Sequence, residues 1–383
     1  MDRRHFIQTS LAATAVSAMP LAFASGPLKV AVMIPQSGPA GLFGPSSKAC
    51  AELAASTLNS RGGILGRKIE LLFADAGLAP AEAGQAALRL WKGQKAEAVI
   101  GMHDSAVRGA LVGLFKGQVP YIYTPVYEGG ECAKGTYMTG ETPQQQLRPV
   151  IPWIAAERKP TKWYLIGNDY IWGRSTNATG KEYIERTGAK VVGDEYLPFT
   201  VDNFDSSLAR IRNSGADAVL VSLVGGASVT FNKAFSSFGL AEKTLRLHTL
   251  LEENTLAGIG FANARNLYSS SGYFAKIDTP AAKAFAAEYS KRFGADAPAL
   301  NGLGESVFEG FLMFEALARK ANSLDVSKMD VASEGATYQG PRGTITMKAR
   351  HVMQDIFVAN VTDSGFRVVK TFSKVDPGQT CKV

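Results

Sequence analysis

The chain has 383 residues, a formal net charge of +7 and a charged fraction of 20%. Its lysines and arginines are scattered, without a dense basic run or an aromatic-basic stripe, so the composition argues against a nucleic-acid partner. No run of about eighteen apolar residues occurs, so the sequence offers no candidate for a membrane-spanning helix.

Residues 1–24 are predicted to be an export signal of the twin-arginine type. A pair of arginines at positions 3 and 4 precedes a weakly hydrophobic segment, 11–23, that is too short to span a bilayer. Residues 22–24 have the A-x-A pattern of signal-peptidase cleavage. We therefore expect export to the periplasm and a mature chain that begins near Ser25.

The three cysteines, Cys50, Cys132 and Cys381, lie far apart and include no C-x-x-C motif. In an exported chain an odd count allows at most one internal disulfide and one free thiol. Cys50 falls in a predicted helix of small residues and is most simply a buried thiol. Cys132 and Cys381 lie in loop-like sequence and could pair. The four histidines have no metal-ligand spacing, so no metal site is predicted.

From residue 27 onward, short apolar runs alternate with amphipathic segments, which predicts a doubly wound α/β fold. In the first block we predict strands at 28–34, 68–73, 96–100 and 120–123, with helices at 45–61, 80–92 and 105–115. The same order restarts near residue 143, with helices at 144–157, 172–187, 203–213 and 227–238 and strands at 163–166, 190–197 and 218–223. The sequence thus predicts two Rossmann-like lobes of one architecture.

The remaining chain is predicted to complete both lobes. Two more strands are expected at 245–250 and 266–271, and two long helices at 281–293 and 304–321. Three extended runs at 343–347, 355–361 and 366–372 should be antiparallel, because 362–365 has the sequence of a hairpin turn.

The motifs of common enzymes are missing from the sequence. No G-x-S-x-G nucleophile elbow and no Walker A loop occurs, and the glycines at 38–44 have the wrong spacing for a nicotinamide site. Neither catalysis nor a cofactor is therefore expected. Three carboxylate pairs are expected to be solvated surface groups: Glu128 with Glu131, Asp202 with Asp205, and Glu252 with Glu253.

Polar and aromatic residues gather just past the predicted strand ends. Ser105, Tyr123, Tyr170 and Trp172 follow three different strands, and Glu252 or Glu253 follows a fourth. In open α/β sheets ligands bind outside the carboxyl ends of strands. These side chains therefore predict one cleft that binds rather than reacts, although Tyr170 and Trp172 can also be read as ordinary packing residues.

Several short motifs resemble those of type I periplasmic solute-binding proteins, the receptors of ABC importers, and in particular the branch that binds short-chain amides and urea. They are IPQSG at 34–38, GGILGR at 62–67, YEG at 127–129, TGETPQQ at 139–145, GNDYIWGR at 167–174 and GDEYLP at 193–198. The resemblance covers nearly the whole mature chain.

The resemblance implies two lobes joined by three crossovers that close over a small ligand. It implies a first lobe of 25–141 with 272–340, and a second lobe of 142–271 with 341–383. On the first lobe it places ligand contacts at Ser105 and at Tyr123, Thr124 and Pro125. On the second it places them at Tyr170 and at an acidic residue, Glu253 or less favourably Glu252.

The expected function is capture of a small polar solute, such as an amide, urea or amino-acid-like compound, for ABC permease subunits in the inner membrane. Pro125 lacks the backbone donor that amino-acid receptors use for the ligand carboxylate, which argues against a leucine-type ligand. The alternative is a ligand-sensing protein of the same fold that signals to a protein partner.

Overall fold

The computed structural model describes residues 26–379 and Cys381. The predicted export signal lies outside the described residues. Among the helices that are described, none combines the length and the apolar character needed to cross a membrane.

The first half of the chain forms a five-stranded parallel sheet with helices on both faces. Its strands lie in the order β2-β1-β3-β4-β5. The elements are β1 Leu28–Ile34, α1 Gly44–Ser60, β2 Ile69–Asp75, α2 Pro80–Leu88, β3 Ala98–Gly101, α3 Ser105–Phe115, β4 Tyr121–Tyr123 and β5 Thr136–Met138. Alternate residues of β1 serve the two faces, because Val30 and Val32 pack toward α1 whereas Ala31 and Met33 pack toward α2 and α3.

The second sheet is mixed, and its strands run β11-β12-β13-β10-β9-β8-β6-β7, with β14 paired to β13. The parallel part comprises α4 Pro143–Leu147, α5 Val150–Arg158, β6 Lys162–Asn168, α6 Ile171–Arg186, β7 Lys190–Leu197, α7 Asp205–Ser214, β8 Ala218–Ser222, α8 Gly225–Ser237, β9 Leu245–His248, α9 Glu253–Ile259 and β10 Leu267–Ser271. The late elements are α10 Pro280–Phe293, α11 Gly302–Ala321, α12 Val326–Ser333, β11 Thr337–Gly340, β12 Gly343–Lys348, β13 His351–Thr362 and β14 Gly365–Val375. As predicted, the last three strands are antiparallel.

Over residues 26–379, the chain passes between the two sheets three times. After β5 it enters the second sheet, and after β10 it returns as α10 and α11, which pack on α1. It then re-enters the second sheet through β11 and β12, so the predicted boundary at 340/341 falls in the turn between these strands.

Buried charges connect these three passages. Gly272 N donates to a carboxylate oxygen of Glu141, and Arg342 Nη1 lies 3.9 Å from the same oxygen. Arg342 Nε also donates to Glu309 Oε2 over 2.7 Å. One residue from each passage thus meets in a single buried cluster.

One predicted helix is in fact two. The sequence predicts a single helix over 144–157, but the chain forms α4 and α5 with a break at Pro149. Proline has no N–H to donate to the preceding turn, so the helical hydrogen-bond ladder is interrupted there. The start of α4 is fixed by a capping box between Thr142 and Gln145.

Cys132 and Cys381 form a disulfide, with their Cα atoms 5.3 Å apart. The pairing that the sequence left open is therefore made, and it ties the end of the chain to the loop between β4 and β5. Cys50 is a buried free thiol on α1, as expected.

Candidate functional site

The carboxyl ends of the two sheets enclose a cavity of ≈ 350 Å³. The segments after β1, β2, β3 and β4 form one side of it, and those after β6, β7, β8 and β9 form the other. The lining residues are Pro35, Pro39, Ala40, Phe43, Ala76, Gly77, Leu78, Ala79, Pro80, Met102, His103, Asp104, Ser105, Ala106, Tyr123, Pro125, Val126, Tyr170, Phe199, Val224, Leu250 and Leu303. Most of these side chains are apolar, so the cavity suits a solute with an apolar body.

Aromatic rings from both sheets form walls of the cavity. Tyr170 stands in extended backbone at the start of α6, and its ring centre lies 4.6 Å from that of Phe199. Across the cavity, the hydroxyl of Tyr123 donates to the backbone oxygen of His103 at 2.6 Å. Tyr123 therefore offers the cavity mainly its ring.

The start of α3 brings polar atoms to the cavity. Asp104 caps the helix, with its carboxylate accepting from Val107 N at 2.8 Å. This cap fixes the turn that places Ser105 and Ala106 against the cavity. Among the described residues, the backbone N–H groups of these two positions have no acceptor.

A buried ion-pair network lies behind this helix start. Glu128 accepts from the Ser105 hydroxyl and from Arg108 Nη2, each at 2.6 Å, and Arg108 Nε donates to Glu131 over 3.3 Å. Burial lowers the pKa of Arg108, but the hydrogen bond to Glu128 and the nearby acidic groups raise it overall. The expectation that Glu128 and Glu131 are solvated surface groups is wrong, because both carboxylates face the buried side chain of Arg108.

The cavity lining itself contains neither lysine nor arginine. Burial lowers the pKa of His103 to about 4, so this histidine is neutral at physiological pH. Asp104 is the one acidic residue of the lining. Such a site supplies no cation for an anionic ligand.

Four of the seven predicted ligand contacts line this cavity: Ser105, Tyr123, Pro125 and Tyr170. Thr124 lies instead beside a small void of ≈ 20 Å³ next to the cavity, together with Glu252. Trp172 is buried behind Tyr170, with ring centres 6.0 Å apart, and does not reach the lining.

Glu253 does not line the cavity either. Its Oε1 accepts from Ala275 N at 2.7 Å inside the protein. Its neighbour Glu252 caps α9 by accepting from the backbone of Asn254 and Thr255. Both carboxyls thus accept hydrogen bonds from backbone N–H groups within the protein, and the expectation that this pair is solvated is wrong.

Several residues that line the cavity were not predicted from the sequence. Phe199 follows β7 and Val224 follows β8. Their position just past a strand end, which predicted Tyr170, therefore also predicts these two residues. The pairing of Glu128 with Ser105 had no sequence signal, because it depends on how a loop folds back over α3.

The fold and this cleft define an α/β architecture of two sheets, with a cavity enclosed between the carboxyl ends of their strands. A family model described as periplasmic binding protein matches residues 27–366, and the chain belongs to that family. The resemblance to type I periplasmic solute-binding proteins, inferred from the sequence motifs, is therefore confirmed. The assignment to the amide and urea branch stays a prediction.

One curated relative and two solved structures are similar to this chain, and the two structures share its fold. Leu/Ile/Val-binding protein homolog 6 of Brucella melitensis is 25% identical over 368 residues, which cover 92% of this chain and 93% of that protein. A solute-binding protein of an ABC transporter from Rhodopseudomonas palustris, in complex with p-hydroxybenzoic acid, superimposes with a TM-score of 0.83 at 24% identity, covering 92% of this chain and 98% of that one. The closed conformation of a leucine-, isoleucine-, valine-, threonine- and alanine-binding protein from Brucella ovis gives a TM-score of 0.81 at 20% identity, covering 94% and 99%.

Proposed function

We propose that the chain is an exported receptor of an ABC importer that captures one small, neutral organic solute between two closing lobes. The lobes are 25–141 with 272–340, and 142–271 with 341–383. The receptor works in the periplasm and delivers its solute to permease subunits in the inner membrane. Family membership and the cavity at the strand ends support this assignment.

The chemical class of the ligand is inferred from the residues that line the cavity. Aromatic and aliphatic side chains surround a volume of ≈ 350 Å³, which is more space than urea alone would fill. The solute therefore has an apolar body, packed between Tyr123, Tyr170 and Phe199. Ligands of structurally similar proteins include p-hydroxybenzoic acid, which also combines a ring with a polar end.

The absence of lysine and arginine from the lining argues for a neutral polar end. A carboxylate enclosed between closed lobes needs several donors or a cation, because an unpaired buried charge costs several kcal/mol. An amide needs only a few neutral partners, and the start of α3 offers them. We thus place an amide-like polar end beside Ser105.

The test is to measure binding and stability together. A thermal-shift screen of amides, ureas, amino acids and aromatic acids identifies the solute, and calorimetry then compares wild type with Tyr170→Ala. We expect the substitution to weaken binding by about 2 kcal/mol, because an aromatic wall is lost from a desolvated site. A Tyr170→Ala protein with lower stability and full affinity would show that Tyr170 only packs, and would refute this placement of the site.

A further inference from the structure

The hydroxyl of Ser105 has a fixed direction. Its partner Glu128 forms an ion pair with Arg108 over 2.6 Å, and the carboxylate of such a pair can only accept hydrogen bonds. The 2.6 Å contact between Ser105 Oγ and Glu128 Oε2 therefore uses the one hydroxyl hydrogen of the serine.

Two features keep Glu128 in this position. Arg108 is 7% exposed, and its guanidinium lies 4.9 Å from the ring centre of Tyr127 and 5.3 Å from that of Tyr123. The loop that carries Glu128 is also tied by the disulfide at Cys132. Burial of the arginine and the disulfide on the loop thus both favour the contact between Glu128 and Ser105.

With its hydrogen engaged, Ser105 presents only lone pairs to the cavity. The neighbouring backbone N–H groups of Ser105 and Ala106 present donors, and among the described residues they have no acceptor. This corner of the cavity, formed by Ser105 and Ala106 at the start of α3, thus combines one hydrogen-bond acceptor with two donors.

We propose that Glu128 is a specificity-determining residue, which orients the Ser105 hydroxyl so that this corner selects a ligand group carrying its own N–H or O–H donor. The inference rests on the proposed receptor function and adds a residue outside the cavity lining to it. A primary amide fits, because its oxygen accepts from the N–H groups while its nitrogen donates to Ser105 Oγ. A carboxylate has no hydrogen to donate and faces the serine lone pairs.

The nearby charges act in the same direction. Asp104 lines the cavity at this corner, and Glu128 and Glu131 lie behind it, each paired with Arg108 and with no other cation among the described residues. A matched control can separate this charge effect from the orientation of Ser105. Glu131 contacts the same arginine as Glu128, but it makes no hydrogen bond to Ser105.

The experiment is calorimetric titration of the mature chain with benzamide and with benzoate, which share a ring and differ in the polar end. Wild type should bind benzamide more tightly. Glu128→Gln should reduce this preference by roughly tenfold or more, because a glutamine amide can donate to Ser105 Oγ and release the hydroxyl hydrogen toward the ligand. Glu131→Gln removes an equal charge and should reduce the preference by less than about threefold.

Equal changes in Glu128→Gln and Glu131→Gln, or no change in either, would overturn the proposal. In a Ser105→Ala background, Glu128→Gln should no longer alter the preference, and a persisting effect would also refute it. If Glu128→Gln does not fold, Ser105→Ala tests the proposal by itself. This substitution removes the acceptor Ser105 Oγ, so it should weaken the binding of benzamide and leave the binding of benzoate unchanged.

Failure of this inference is distinguishable from failure of the receptor function. Tighter binding of benzoate by wild type, or binding of neither probe while another solute in the thermal-shift screen binds, would refute the inference and leave the receptor standing. No binding of any solute would refute both.

Discussion

Glu253 is a buried carboxyl group that the ligand cavity does not use. Its Oε1 accepts from Ala275 N, whereas its Oε2 has no partner among the described residues. Burial, with a smaller contribution from the nearby Glu252 and against the hydrogen bond from Ala275, raises the pKa of Glu253 to about 8. The group is therefore a site of pH-dependent stability.

The sign of this dependence follows from the raised pKa. Between the ordinary carboxyl pKa and about 8, the unfolded chain ionises at this residue while the folded chain does not, so stability is lost as pH rises. Glu253→Gln removes the ionisable group. The melting temperature of the variant minus that of wild type should hence increase by several degrees between pH 5 and pH 8.5.

Differential scanning calorimetry at several pH values measures this difference. Glu185→Gln, at an exposed position of α6, is the control and should give a difference that does not vary with pH. A constant difference for Glu253→Gln as well would show that this carboxyl is solvated in the folded protein.

At this scale, sequence reasoning succeeded where position along a strand decides the outcome. Ser105, Tyr123 and Tyr170 each follow a strand directly, so parallel topology alone brings them to one edge. Glu253 was predicted to contact the ligand but does not line the cavity, because the first turn of α9 directs its side chain inward to Ala275. Glu128 lies 23 residues from Ser105, and no periodicity in the sequence connects them.

At the scale of elements, the start of α8 approaches the first sheet closely beside the cavity. Gly225 has a φ of +54°, and a Cβ atom placed on it would lie 2.3 Å from the backbone oxygen of Pro39. Real Cβ atoms do not come so close to backbone, so only glycine permits this contact. Val224, next to Gly225, and Pro39 both line the cavity. The close approach of Gly225 to Pro39 therefore helps to enclose the cavity.

Gly225→Ala should consequently hinder closure over the ligand. We expect affinity to fall roughly tenfold or more, with a smaller loss of stability because alanine also tolerates the positive φ poorly. Gly226→Ala is the matched control, since a Cβ at that position meets nothing within 4 Å. Wild-type affinity in Gly225→Ala, measured by calorimetry, would show that the two segments need not approach each other for binding.

Elements with clear periodicity were predicted within a few residues, and α3 and β7 were predicted with their observed limits. The sequence analysis missed β5, α9, α12 and β11, each of which has eight residues or fewer. β5 has three residues, too few for an alternating pattern, and α9 begins after a glutamate cap instead of the usual Ser, Thr, Asp or Asn. Pro149 itself predicts the break between α4 and α5, because a proline inside a helix removes a backbone donor.

At the scale of the whole molecule, segments that follow strands of the two sheets contact each other beside the cavity. Asn254 Nδ2 donates to Leu42 O over 3.2 Å, and Gly225 touches Pro39. A second set of contacts, among Glu141, Gly272 and Arg342, connects the three passages between the sheets. We propose that these passages act as the hinge, because they are the covalent links on which one sheet can move relative to the other.

Small-angle X-ray scattering of the mature chain, with and without its solute, tests this account most directly. A site divided between two lobes gains its full contacts only when the lobes meet, so the ligand selects the closed state. The radius of gyration should decrease at saturation in wild type and should decrease less in Gly225→Ala under the same ligand concentration. An unchanged radius in wild type at a saturating concentration confirmed by calorimetry would contradict capture by closing lobes.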